Sequence, residues 1–207
     1  MRLWARDSVL VEEMLAIRRN PRYISDVEIP SGVLITSDVE RAAFGADVLV
    51  MAVPSHAMRS VSRSVAPFIR GGPVIVSLAK GLEKETFKRM TEILMEEMPF
   101  CAGKIAALSG PNHAEEVSVG IPTATVVACE NREVARALQE MFTTPFFRVY
   151  TNSDVIGVEI GGATKNVIAI AVGVSDGLGF GDNTRASLMT RGLAEMARLG
   201  VALGAKR

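Results

Sequence analysis

The chain reads as an α/β protein: a doubly wound, mostly parallel sheet followed by the start of an all-helical unit. Three observations carry this reading. Short β-branched runs alternate with amphipathic segments over the first two-thirds of the chain, the pattern of a parallel sheet covered by crossover helices. After Thr151 the pattern changes to nearly continuous helix. With 207 residues, 48% of them hydrophobic, the chain is large enough to bury one core and part of another.

Taken in order, Arg2-Leu3-Trp4-Ala5-Arg6-Asp7 reads as the end of a strand running straight into a helix over 9–18. Strands are expected at 33–36, 47–53, 73–79, 104–109, 123–129 and 146–150. Ser37 and Glu40 have the spacing of a capping box. Phe87, Met90, Leu94 and Met98 set one apolar helical face, and Asn131 suits the start of a helix that turns Val134, Leu138 and Met141 inward. The last part predicts helices over 154–174 and about 183–199, joined by a connection rich in glycine at Gly177, Gly179 and Gly181.

Lys+Arg and Asp+Glu are equal at 23 each, so no net field draws nucleic acid or an anionic membrane, and a small-molecule partner is expected. Cys101 and Cys129 lack metal-ligand spacing and read as reduced thiols, consistent with a cytoplasmic protein. The N-terminus has no apolar run with a cleavage site, so no signal peptide is read there. The stretch 155–174 is about as long as a membrane span, but Glu159, Lys165 and Asn166 interrupt it. Each charge costs roughly 2.5–3.5 kcal/mol at mid-bilayer, so a buried helix of a soluble protein is expected instead.

Several residues stand where chemistry is done. Arg6 and Asp7 follow the first strand, where a carboxylate reads a ribose 2′-hydroxyl and a guanidinium a 2′-phosphate; a solvated turn and helix cap is the other reading. Ala52-Val53-Pro54-Ser55 and Ser77-Leu78-Ala79-Lys80-Gly81 leave strand ends, the second with an ammonium suited to a phosphate or carbonyl oxygen. Ser109-Gly110-Pro111-Asn112-His113-Ala114 offers backbone N–H groups and an amide, although turn chemistry alone also explains it. His113 and His56 read more simply as surface residues.

Lys165 is the most informative, lying in Gly161-Gly162-Ala163-Thr164-Lys165-Asn166-Val167-Ile168-Ala169-Ile170. An ammonium in so apolar a helix is expensive unless paired or working. Gly161 and Gly162, one turn earlier on the same side, clear room beside it. Burial favours the neutral amine, which suits proton exchange with a carbonyl oxygen or an alcohol. A lysine reaching solvent at a domain edge is the plainer alternative.

Leu-Trp-Ala-Arg-Asp at 3–7, Ala-Val-Pro-Ser at 52–55, Ala-Lys-Gly at 79–81, Leu-Ser-Gly-Pro-Asn at 108–112 and Phe-Arg-Val-Tyr-Thr-Asn at 147–152 resemble segments of a known family. So do the run 154–169 and Thr-Arg-Gly-Leu-Ala-Glu at 190–195. The chain resembles, over its whole length and in order, the bacterial-type NAD(P)-dependent glycerol-3-phosphate dehydrogenases. The resemblance implies a Rossmann-like dinucleotide-binding domain over 1–152 and the start of a helical substrate domain over 153–207. It implies hydride transfer between NAD or NADP and dihydroxyacetone phosphate, giving sn-glycerol 3-phosphate for phospholipid synthesis, with a homodimer as one assembly to expect.

By the same resemblance Lys165 is the proton donor or acceptor and binds substrate. Lys80 approaches both cofactor and substrate, Gly110 and Asn112 hold substrate, Ala114 borders the cofactor, and Arg6 with Asp7 lies by its adenosine ribose. The chain departs from the family in three places. Thr164 stands where leucine is usual; the family's Gly-x-Gly-x-x-Gly turn precedes residue 1; and its later Asp and Ser-Arg-Asn motifs follow residue 207. The first strand of the sheet, central in the order 3-2-1-4-5-6, is therefore expected to be missing, leaving two open edges and a fragment that is unstable and inactive alone. A related dehydrogenase of a β-hydroxy acid or sugar acid, or a non-catalytic nucleotide-binding module, are the competing readings.

Overall fold

Asp7 converts the first strand, β1 (Arg2–Trp4), into helix α1 (Ser8–Ile17) by accepting from the backbone N–H groups of Val9 and Leu10. The structure is a computed structural model that describes residues 1–206. Arg207, the last residue of the predicted helical unit, lies outside the described residues. A hairpin of β2 (Arg19–Asn20) and β3 (Ile24–Glu28) follows α1. The sequence pattern does not announce this hairpin, because its residues are mostly polar and exposed and lack a one-sided apolar alternation.

The alternating part continues as β4 (Leu34–Thr36), α2 (Val39–Ala43), β5 (Val48–Met51), α3 (Met58–Val65), β6 (Val74–Ser77) and α4 (Met90–Glu97). It then runs through β7 (Ile105–Ser109), α5 (Ala114–Ser118), β8 (Thr123–Ala128), α6 (Arg132–Phe142) and β9 (Phe147–Asn152). Each of the six strands expected from residue 33 onward is present. Two local readings are corrected. Asp38, not Ser37, caps α2, its carboxylate being the group within reach of the Arg41 N–H. Phe87 is not on the face of α4; it sits in the preceding loop at φ 57°, 74% exposed, while Met90, Leu94 and Met98 are buried.

β1 pairs in parallel with β4, and β5 to β9 form a five-stranded sheet in the order β5-β6-β7-β8-β9, parallel except where β7 meets β8. Side-chain alternation buries both faces. Ile75 and Ile105 join Met58, Ile93 and Leu94 from α3 and α4. Their neighbours Val76 and Ala106 join Ala135 and Leu138 from α6. A doubly wound order sets one more strand between β1 and β5. The facing strands carry apolar residues that remain open, Leu3 at 38% and Val50 at 44% exposure.

Two long helices complete the chain, α7 (Val155–Gly177), capped by Asp154, and α8 (Asp182–Ala202), packed against each other. The first half of α7 also lies on β7 and β8. The expectation of a buried helix is corrected here. α7 is long and apolar enough to cross a membrane by length and composition, yet only Glu159, Ile160, Gly162 and Ser175 are buried. The sheet and α8 cover one side of α7, and no described element covers Val167, Ile170 or Val174 on the other.

Candidate functional site

Three turns at the carboxyl ends of β5, β6 and β7 converge. Leu78 N–H donates to the Met51 carbonyl at 3.1 Å, holding the turn after β6 beside the end of β5. Gly81 is pressed against Ser55, and a Cβ there would lie 2.8 Å from the serine hydroxyl. Between these turns Lys80 reaches across to the loop after β7. Its Nζ donates to Asn112 Oδ1 at 2.6 Å and to the Gly110 carbonyl at 3.2 Å. Gly110 fits because it backs onto β8, where a Cβ would meet Thr125 Cα at 2.9 Å.

α7 delivers the second lysine. Gly162 is buried against Ser109, and a Cβ there would overlap the serine hydroxyl and touch Lys80 Cγ at 3.9 Å. The helix therefore rests on the end of β7 with only the Ser109 side chain in between. Gly161 faces open space, with nothing within 4 Å of a built Cβ. One turn on, Lys165 is partly exposed, and its Nζ donates to Asn166 Oδ1 at 3.1 Å. Lys165 is thus at the edge of the buried part of the helix. Thr164 donates its hydroxyl to the Ile160 carbonyl at 2.7 Å, so the threonine found in place of leucine is satisfied within the helix.

Electrostatics ties the two lysines together. Lys80 titrates below an ordinary lysine, first because burial penalises its charge and second because the ammonium of Lys165 is near. Two ammonium groups on neighbouring elements, each bonded to its own asparagine amide, make a positive field that suits an oxyanion or a polarised carbonyl oxygen.

The remaining candidates lie apart from this cluster. Asp7 is fully engaged, one oxygen capping α1 and the other 2.5 Å from Arg22 Nη1. The Arg22 guanidinium, then the backbone N–H of Leu10, hold its carboxyl below the usual range. Arg6 beside it is exposed at the carboxyl end of β1. Ala114 is the exposed first residue of α5, which packs against β3, so the loop after β7 meets the hairpin after α1. His113 Nδ1 lies 2.7 Å from Glu115 Oε2, both well exposed, and His56 is exposed in the turn after β5.

Two groups near the site are not singled out by the sequence as functional. Asn166 supplies the acceptor for Lys165. Glu159, read only as a charge interrupting an apolar run, is buried and bonded to Arg89 and Thr91. An acid inside an apolar helix demands a donor set, a signal that marks the residue but not its partners. A cleft of about 380 Å³ lined by Arg132, Arg136 and Asn152 lies at the carboxyl ends of β8 and β9. Because β7 and β8 are antiparallel, that cleft is at the opposite end of the sheet from the lysines.

Comparison with known proteins identifies the family and the fold. The family model described as NAD-dependent glycerol-3-phosphate dehydrogenase N-terminus matches residues 1–135, and the model of the corresponding C-terminus matches residues 154–207. A glycerol-3-phosphate dehydrogenase [NAD(P)+] of Moorella thermoacetica is 52% identical over 204 residues, covering 99% of this chain and 60% of the relative. A second, from Salinibacter ruber, is 51% identical with the same coverage. The crystal structure of glycerol-3-phosphate dehydrogenase from Coxiella burnetii superposes with TM-score 0.90 at 38% identity, covering 99% of this chain and 62% of that one. The chain thus spans about three-fifths of the length of the relatives it matches.

Proposed function

Because the chain belongs to the NAD-dependent glycerol-3-phosphate dehydrogenase family, we propose that the protein carrying it interconverts dihydroxyacetone phosphate and sn-glycerol 3-phosphate. In the reducing direction the ketone carbon gains a hydride and its oxygen gains a proton. NAD(P)H, when bound, supplies the hydride. The residues of this chain hold the substrate and supply the proton.

Lys165 is the group proposed to give its Nζ proton to the oxygen at C2, and to take it back in the reverse direction. Lys80 and Asn112 orient the substrate, with the Gly110 carbonyl fixing the Lys80 ammonium. Lys80 also stabilises negative charge as it grows on the carbonyl oxygen. Arg6, Asp7 and Ala114 are assigned to the cofactor side. The exposed guanidinium of Arg6 fits the adenosine ribose or its 2′-phosphate, while Asp7 braces the turn through Arg22. In this reading residues 1–152 form the nucleotide-binding unit and 153–207 the first part of the substrate unit. The product feeds phospholipid synthesis in the cytoplasm, and a homodimer is the expected assembly.

The observation that carries the proposal is the convergence of Lys80, Asn112 and the α7 helix bearing Lys165 on one end of the sheet. The test is NAD(P)H oxidation driven by dihydroxyacetone phosphate in a full-length protein containing this chain. Replacing Lys165 with Met is expected to lower kcat by about 10²- to 10⁴-fold, the usual contribution of a positioned acid or base. Turnover close to that of the unaltered protein removes Lys165 from the reaction.

A further inference from the structure

Glu159 is a buried carboxylate, 8% exposed, on the helix that carries Lys165. Its bonding partners are on a different element. Oε1 accepts from the Thr91 backbone N–H at 2.9 Å, and Oε2 accepts from the Thr91 hydroxyl at 2.5 Å and from Arg89 Nη1 at 2.6 Å. Thr91 is the second residue of α4, so its N–H is one that the helix leaves without an internal partner. The carboxylate therefore caps α4 from 68 residues away.

The two ends of this contact lead to the two lysines. Along α7, successive i to i+3 steps run from Glu159 to Gly162, which packs on Ser109 beside the Lys80 side chain, and then to Lys165. Along the other chain segment, Lys80 opens the loop that closes at the Leu82–Arg89 bridge just before α4. That loop is itself braced, since Arg59 holds Glu83 through two nitrogens at 2.6 and 2.8 Å. Buried charge-assisted bonds of this kind have fixed geometry and are expensive to leave half made. α7 can turn or slide on the sheet only by stranding a buried carboxylate.

We propose that Glu159 is a positioning residue whose carboxylate locks α7 to the start of α4 and so sets the separation of Lys165 from Lys80. This rests on the assignment of Lys165 as the proton donor. Glu159 touches neither lysine, so it acts on the reaction through the placement of Lys165.

The test uses the full-length protein, with Glu159→Gln and, as a milder change that keeps the side-chain shape and the backbone N–H bond, Thr91→Val. Glu159→Gln is expected to lower kcat for dihydroxyacetone phosphate at least tenfold with KM for NAD(P)H unchanged. Added to Lys165→Met, it is expected to lower kcat no further, because a residue acting only through Lys165 has nothing left to act on. Thr91→Val gives the same pattern at smaller size. Equal losses in both backgrounds, or a fall in Tm with kcat intact, overturn the proposal.

A second readout is independent of turnover. In an NMR titration of the Lys80 side chain, Lys165→Met is expected to raise the Lys80 pKa when Glu159 is present and to raise it less once Glu159 is Gln. The same rise in both backgrounds means that Glu159 does not set the spacing. A protein that shows the first titration pattern but reduces no dihydroxyacetone phosphate refutes the functional reading and leaves standing the part of this one that concerns the spacing of the two lysines.

Discussion

Gly162 lies directly on Ser109, and a methyl group at that position would overlap the serine hydroxyl. Ser109 can swing its side chain aside, whereas the equivalent clash at Gly110 is with the Thr125 backbone, 2.9 Å from a built Cβ. Overpacking in a fitted interior costs about 1–3 kcal/mol. Urea denaturation is therefore expected to place Gly162→Ala near the lower end of that range and Gly110→Ala near the upper. A Gly110→Ala protein as stable as the parent contradicts the close approach of β7 and β8.

Asn112 fixes Lys80 through a bond of 2.6 Å. A hydrogen bond to a charged group is worth about 1.5–3 kcal/mol. Asn112→Ala is expected to raise KM for dihydroxyacetone phosphate by roughly tenfold or more, with a smaller change in kcat. Steady-state kinetics at saturating NAD(P)H separates the two parameters. An unchanged KM excludes Asn112 from substrate binding.

Arg6 is exposed at the end of β1 while the acceptors of the neighbouring Asp7 are taken by α1 and Arg22. With the carboxylate engaged, the proposed function leaves the ribose to the guanidinium, a group that pairs well with a 2′-phosphate. Arg6→Ala is expected to weaken NADPH by about tenfold to a hundredfold while changing NADH little. Calorimetric titration with each nucleotide checks this. Equal losses for both would assign Arg6 to something other than the 2′ position.

Glu83 is held by the Arg59 guanidinium and the Thr86 hydroxyl, which bring its carboxyl from 4.5 down to about 2. The charged form is favoured by folding, so the pair stabilises fully above pH 4.5, and its contribution disappears as pH falls through about 2. Glu83→Gln is expected to lower Tm at pH 7, and the gap from the parent is expected to narrow between pH 5 and pH 2. A gap that stays constant with pH means that the charge of Glu83 is not what stabilises the loop.

The strands after residue 33 are legible because each is a short apolar run ending in a turn signal, and burial on both faces makes such runs nearly continuous. The helices of the second part are legible from period and from Asp154 as cap. The 19–28 hairpin is not, since Arg19, Ser25, Asp26 and Glu28 point to solvent on both sides. Phe87 fits a helical period with Met90, Leu94 and Met98 but falls before α4 starts. Lys80, Gly110, Asn112 and Lys165 stand out locally, being polar or small groups at strand ends or in an apolar helix. Nothing local reveals that Glu159 belongs to Thr91, because that pairing exists only once α7 lies across the sheet.

The reversal of β8 relative to β7 has a geometric outcome. It sends β9 to finish at the far rim, so α7 must climb the height of the sheet to bring Gly162 against Ser109, with Lys165 one turn beyond. From Asp154 to Gly162 the climb is about 12 Å at 1.5 Å per residue, close to the roughly 13 Å between the first and last residues of a five-residue strand such as β7. The helix works as a measuring rod cut to the strand beside it. One alanine inserted in that climb would swing the lysine by about 100° around the rod and carry it past its mark.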